Sequence, residues 1–191
     1  PRIVREGAAV LGRIRDPRGL ELLRVCLNHE DVSVRIQTLH ALRKIEDSEA
    51  TKLTLEFLDD PDQEVRILAA KVIDVSREPF GREAIEKRLK SRTFRLRPTR
   101  ERIALIQALR RTKSDEMVPV FAPFFRRGWF RRDEEEAVMA AIVGALHSLG
   151  TESARKLLER GSRLRKKAIA IQCERALRQA ADLGREKEGE G

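Results

Sequence analysis

The sequence predicts an all-α fold, a right-handed α-solenoid of antiparallel helix pairs stacked one on the next. Three observations predict it. Apolar residues recur at helical spacing through nearly all of the 191 residues. Aromatics make up 4% with no tyrosine, poor material for sheets, while 37% charged residues suit helices carrying a single apolar stripe. Finally, one short pattern returns at steps of 30 to 37 residues, the mark of units that bury a shared core between neighbours.

The repeating helix comes first. "IVREGAAVLGRIRD" begins at Ile3, "SVRIQTLHALRKIED" at Ser33 and "EVRILAAKVIDV" at Glu64. Their Val-Arg pairs, Val4-Arg5, Val34-Arg35 and Val65-Arg66, are 30 and 31 apart, and "RERIALIQALRRT" sets Arg102 another 36 on. The far end of the same helix repeats as Ala41-Leu42, Val72-Ile73, Ala108-Leu109, Ala145-Leu146 and Ala176-Leu177. Between these second helices lie shorter first helices. "DPRGLELLRVCL" opens with Asp16 as N-cap and Pro17 at the first helical position. The others start at Asp47, Arg82, Ser114 and Thr151, the last stopping at Gly161.

The expected organisation is one domain over residues 1–183. An orphan second helix (1–15) precedes five helix pairs at 16–46, 47–76, 77–113, 114–150 and 151–183. A polar tail, 184–191, is expected to be disordered. The orphan's stripe of Val4, Ala8 and Leu11 lacks a companion and the chain opens on Pro1, so the expectation is a piece cut from a longer array.

"DDPDQEVRILAAKVI" (Asp59 to Ile73) and "NHEDVSVRIQTLHAL" (Asn28 to Leu42) share a D-x-x-VR-x-x-A-x-x-AL-like core. In this the chain resembles the HEAT repeat family, in particular the short bacterial repeats also found in phycobilisome lyases. The resemblance runs over about residues 1–180, although Met139 and Ala170 stand where the arginine recurs. It implies a superhelical repeat and says almost nothing of function, since the fold hosts many roles.

The family offers two enzymatic precedents to test on the residues. Deoxyhypusine hydroxylases, which are HEAT-like, hold two irons with several His-Glu pairs; this chain has one, His29-Glu30, without a second ligand set. HEAT-like glycosylases that remove alkylated bases use a basic groove with a tryptophan and a carboxylate. The row expected to face inward here (Gln37, His40, Lys44, Lys71, Gln107, Arg111, Gln172, Arg175) holds neither an aromatic nor an acid. No H-E-x-x-H, glycine-rich phosphate loop or G-x-S-x-G occurs. Asp133 to Glu136 are adjacent at a helix start and are expected to cap it. No enzyme, metal or cofactor is expected. Cys26 and Cys173 sit within apolar helical stretches and are expected to be buried, reduced thiols in a cytoplasmic protein.

Charge points towards binding. The net charge is +9, yet residues 1–76 hold 12 Lys+Arg against 14 Asp+Glu, leaving 28 against 17 for the rest. Two arginine-rich loops, "SRTFRLRPTRER" (Ser91 to Arg102) and "RRGWFRRDEEE" (Arg126 to Glu136), fall on one edge, since a step of 36 carries Phe94 onto Phe130. The candidate contact residues are Arg92, Phe94, Arg95, Arg97, Arg100, Arg126, Arg127, Trp129, Phe130, Arg131 and Arg132. Exposed rings would stack on bases or anchor a protein partner; buried rings would instead close the helix pairs, leaving the arginines outside. Both alternatives are open from the sequence. The expected function is a non-catalytic scaffold or adaptor that binds an acidic protein surface or segment through this loop edge and the inward-facing helix row, with nucleic acid as the alternative partner and neither membrane nor small-molecule substrate. Asp31, Arg35, Asp62, Arg66 and Arg102 are expected to set repeat-to-repeat register: each aspartate caps a helix, and each arginine reaches that aspartate or the neighbouring repeat.

Overall fold

The structure is a computed structural model that describes residues 1–126 and 134–189, and among these every regular element is helical. Two compact units divide the chain, Pro1–Arg88 and Leu89–Gly191. The fold class is the α-solenoid that the repeats predict.

In the first unit the second helices are α1 (Arg2–Ile14), α3 (Val32–Leu42) and α5 (Gln63–Val72), and the first helices are α2 (Leu20–Val25), α4 (Ser48–Glu56) and α6 (Pro79–Lys90), the last ending across the boundary. Each begins for a local reason. Asp31, Asp47 and Asp62 are extended N-caps whose carboxylates accept from Ser33, Glu49 and Glu64 N–H at 2.7, 2.7 and 2.8 Å. Asp16 caps likewise but opens a 3-10 turn, Pro17–Gly19, so α2 starts at Leu20 rather than at Pro17. Pro79 begins α6 three residues before the expected Arg82, since a first-turn proline has no N–H to satisfy.

Stacking follows the repeat: α3 packs on α1 and on α5, while α2 and α4 cover the same side of this row. Leu23, Val34, Leu39, Leu42, Leu53 and Val65 form its buried interior. Gly12 lets α1 and α3 approach closely, because a Cβ there would stand 2.6 Å from Ala41 Cα. The other side of α1 is open. Val4 and Val10 of α1, 38% and 41% exposed, line an apolar groove of about 530 Å³ with Leu22 and Val25 of α2.

In the second unit α7 (Thr99–Arg110), α9 (Glu134–Leu149) and α11 (Lys167–Gly189) form the row, with α9 packed against both others. The first helices are α8 (Met117–Phe121) and α10 (Glu152–Ser162), the latter capped by Thr151. Two 3-10 segments, Arg92–Leu96 and Ala122–Phe125, precede α7 and follow α8. α11 runs past Gly184 to Gly189, through most of the stretch expected to be a polar tail, where Arg185, Glu186, Lys187 and Glu188 favour a helix; residues 190 and 191 lie outside the described residues. No helix among the described residues is long and apolar enough to cross a membrane.

Candidate functional site

Arg92 to Leu96 form a 3-10 turn because Ser91 caps it, its hydroxyl accepting from Thr93 N–H at 3.2 Å. This short turn drives one side chain inward. Phe94 is 1% exposed and meets Phe124 edge to face, ring centroids 5.7 Å apart; Phe124 in turn meets Phe121 at 6.4 Å. Each such pair adds about 0.5–1.5 kcal/mol to the burial itself. Of the two alternatives open from the sequence, Phe94 takes the buried one: its ring clamps the first basic loop against Ala122–Phe125, and Arg126 follows directly on that second turn.

With the ring inside, its neighbours point out. Arg92, Arg95, Arg100 and Arg126 are exposed, and so is Leu96, at 83%. Arg97 is half-buried and paired with Glu101, itself 2% exposed, so Arg97 serves the loop's own structure. Arg127, Trp129, Phe130, Arg131 and Arg132 lie outside the described residues. Leu96 was passed over in the sequence because a leucine among arginines reads as helix stripe, and only the 3-10 turn puts it outside.

Of the register residues, Arg35 and Arg102 form ion pairs between repeats, while Asp31 and Asp62 cap their own helices. Asp31 caps α3, and hydrogen bonds from Ser33 hold its carboxyl below the ordinary range. Of the two targets open to Arg35, the structure selects the neighbouring repeat. Its Nε and Nη2 donate to Asp60 Oδ2 and Oδ1 at 2.7 and 3.0 Å, and its Nη1 donates to the carbonyls of His29 and Glu30 at 2.7 and 3.1 Å. Arg66 repeats the second half of the motif, with Nη1 on the Asp60 and Pro61 carbonyls at 2.7 and 2.9 Å. In the second unit Arg102 is 2% exposed and donates from Nη1 to Glu135 Oε1 at 3.1 Å and from Nη2 to Thr99 Oγ1 at 3.1 Å. Glu135 is therefore a buried partner rather than only a helix-start charge, and its neighbour Glu136 pairs with Lys166 at 3.2 Å. Asp133 lies outside the described residues.

The remaining chemistry-bearing groups are dispersed. His29 uses Nδ1 to accept the Asp31 N–H at 3.0 Å, and among the described residues no three of His, Cys, Asp and Glu gather as a metal site. Half-burial, then Arg43 and Lys44, lowers the His40 pKa. Burial, aided by the Glu174 charge, pushes the Cys173 thiol up to about 11, and burial raises Cys26 as well.

Among known families, the model for HEAT repeats matches residues 1–74. No curated protein matches the sequence. Among solved structures, human deoxyhypusine hydroxylase in complex with glycerol is similar at 16% identity and a TM-score of 0.42, over 94% of this chain and 79% of that one. A likeness of that size carries no argument about a site or an activity.

Proposed function

We propose, from the premise that residues 1–74 belong to the HEAT repeat family, that the chain is a non-catalytic binding scaffold whose contact surface is the basic loop edge of the second unit. The observation that carries this is the side-chain sorting of the Arg92–Leu96 turn. Phe94 anchors the loop inside, while Arg92, Arg95 and Leu96 stand outside with Arg100 and Arg126. An interface of this kind joins charge, which steers association, to an apolar contact that excludes water.

The partner class that fits is an acidic protein segment with an apolar side chain for Leu96. The described part of this edge offers nucleic-acid bases no aromatic face, since Phe94 is buried, so stacking gains nothing there. The test is a titration of the full chain with a fluorescent Glu/Leu-rich peptide and, separately, with a mixed-sequence single-stranded oligonucleotide. The expected result is peptide binding that falls when Arg92 and Arg95 become Glu and falls again with Leu96→Ser. An oligonucleotide bound more tightly, with a steep salt dependence indifferent to Leu96→Ser, would replace this reading with a phosphate-directed one.

A further inference from the structure

Two ion pairs tie the starts of α7, α9 and α11 into a row. Arg102 reaches from α7 to Glu135 of α9, and Lys166, just before α11, reaches Glu136 of α9 at 3.2 Å. Two phenylalanines repeat the connection inside. Phe94 of the first basic loop meets Phe124, and Phe125 lies against the end of α10, where a Cβ on Gly161 would stand 2.6 Å from Phe125 Cε1. A third loop therefore continues the basic edge: "RLRKK", Arg163 to Lys167, which joins α10 to α11. It holds no aromatic of its own, which hides its kinship with the two loops before it.

The charge of this loop is not used within the chain. Lys166 is tied to Glu136, but Arg163, Arg165 and Lys167 are exposed and hold no ion pair or side-chain hydrogen bond among the described residues. The acids nearby in the fold are engaged: Glu101 by Arg97, Glu135 by Arg102, Glu136 by Lys166 and Glu159 by Arg155. Local folding does not call for these cations either. α7 has Glu101 in its first turn and α9 begins Glu134, Glu135, Glu136, as the helix dipole favours. α11 instead begins on Lys167 after Lys166, with no acid in its first turn, so its start would be more stable without them.

We infer that the contact edge runs over all three loops, and that its acidic protein segment sets a second group of carboxylates on Arg163, Arg165 and Lys167. This rests on the proposed reading of the edge as a site for such a segment, and it fixes the segment's pattern. Two steps between neighbouring helices, roughly 8–10 Å each, separate the first loop from the third. An extended chain covers that distance in about five or six residues. The partner that fits thus carries an apolar side chain flanked by acids for Leu96, Arg92 and Arg95, and further acids about five or six residues along. Arg126, on the middle loop, faces the stretch between the two groups.

The experiment compares fluorescent peptides on the full chain by anisotropy, at about 0.15 M salt, where charges more than roughly 8 Å away are screened. The short peptide is Glu-Glu-Leu-Glu-Glu. The extended ones carry a Gly/Ser spacer and a second run of glutamates about six residues along, at one end or the other. The better extended peptide is expected to bind about tenfold more tightly than the short one, the sum of a few exposed ion pairs. Arg163→Glu/Arg165→Glu/Lys167→Glu removes that gain. It puts acids at the start of α11, so thermal melts should show a chain at least as stable as the parent. The same change of charge at exposed positions of the first unit, Arg5→Glu/Arg13→Glu/Lys87→Glu, leaves the gain in place. Extended peptides bound no more tightly than the short one overturn the proposal, as does a gain that survives the third-loop variant or that the first-unit variant removes equally. The short peptide tests the underlying reading by itself. If its binding ignores Arg92→Glu/Arg95→Glu, that reading fails; if it needs those arginines but extension adds nothing, only the third loop is lost.

Discussion

Replacing Asp60 by Ala tests how the first unit keeps its register. Asp60 and Arg35 have side chains only 5% and 8% exposed, and the carboxylate takes both Arg35 Nε and Nη2 while also accepting the Asp62 N–H at 2.7 Å. Without it, two guanidinium nitrogens lose their partner in the interior, and Arg35 keeps only the two carbonyls on Nη1. Removing one side of a buried ion pair costs about 3–5 kcal/mol. A natural domain has only about 5–15 kcal/mol in all, so the urea midpoint of the full chain, followed by far-UV circular dichroism, should fall far below that of the parent. Two companions make the result interpretable. Asp31→Ala removes an N-cap and leaves the Arg35 pair intact, so it should cost clearly less. Arg35→Met/Asp60→Leu, with apolar groups on both sides, should recover most of the loss, because a matched apolar pair leaves no charge stranded. Equal losses for Asp60→Ala and Asp31→Ala would refute the reasoning and return Arg35 to Asp31 on its own helix.

Three further outcomes follow from particular contacts. Phe94→Ala should destabilise the chain by about 3–5 kcal/mol in the same urea assay, since the ring is 1% exposed against Phe124; a loss under about 1 kcal/mol would mean that the ring lies outside. On α1, Gly12→Ala should destabilise by about 1–3 kcal/mol against Ala41. Gly7→Ala, in open space on the same helix, should stabilise the chain by up to about 1 kcal/mol, so thermal melts of the two should move in opposite directions. The Cys173 thiol, held at about 11, and the buried Cys26 should give no reaction with a chromogenic disulfide reagent at pH 8, and two thiols per chain once denatured.

What could be read in the sequence follows the range of the interactions involved. The period was legible because Val34 and Val65, and the pairs Ala41-Leu42, Ala108-Leu109 and Ala145-Leu146, are buried alike in successive copies, so the signal is summed over copies. The caps at Asp31, Asp47, Asp62 and Thr151 were legible because each carboxylate or hydroxyl answers N–H groups two or three residues away. Choice of partner at long range was not. "DDPD" offers Asp59, Asp60 and Asp62 within four positions, and only the backbone turn at Pro61 decides that Asp60 faces Arg35, 25 residues back. Asp59 meanwhile goes out to Arg88 and Asp62 turns to its own helix.

The basic loop shows the same limit in its functional form. Alternating arginine and phenylalanine suits a stacking surface and a helix-pair closure equally well, because either places the charge in water. The decision rests on whether an aromatic partner waits inside. For Phe94 it is Phe124, supplied 30 residues later by a 3-10 turn that opens where α8 stops, after only five residues. Had α8 run on as a regular helix, the side chains of Phe124 and Phe125 would leave its axis at other angles. The closure is thus as much a property of the later turn as of the loop that it holds. Burying the ring then has a consequence for binding: the loop is fixed before any partner arrives, so less ordering entropy opposes association through Arg92, Arg95 and Leu96. Phe94→Ala should therefore weaken acidic-peptide binding without removing any exposed contact, through a faster off-rate, even where the chain stays folded.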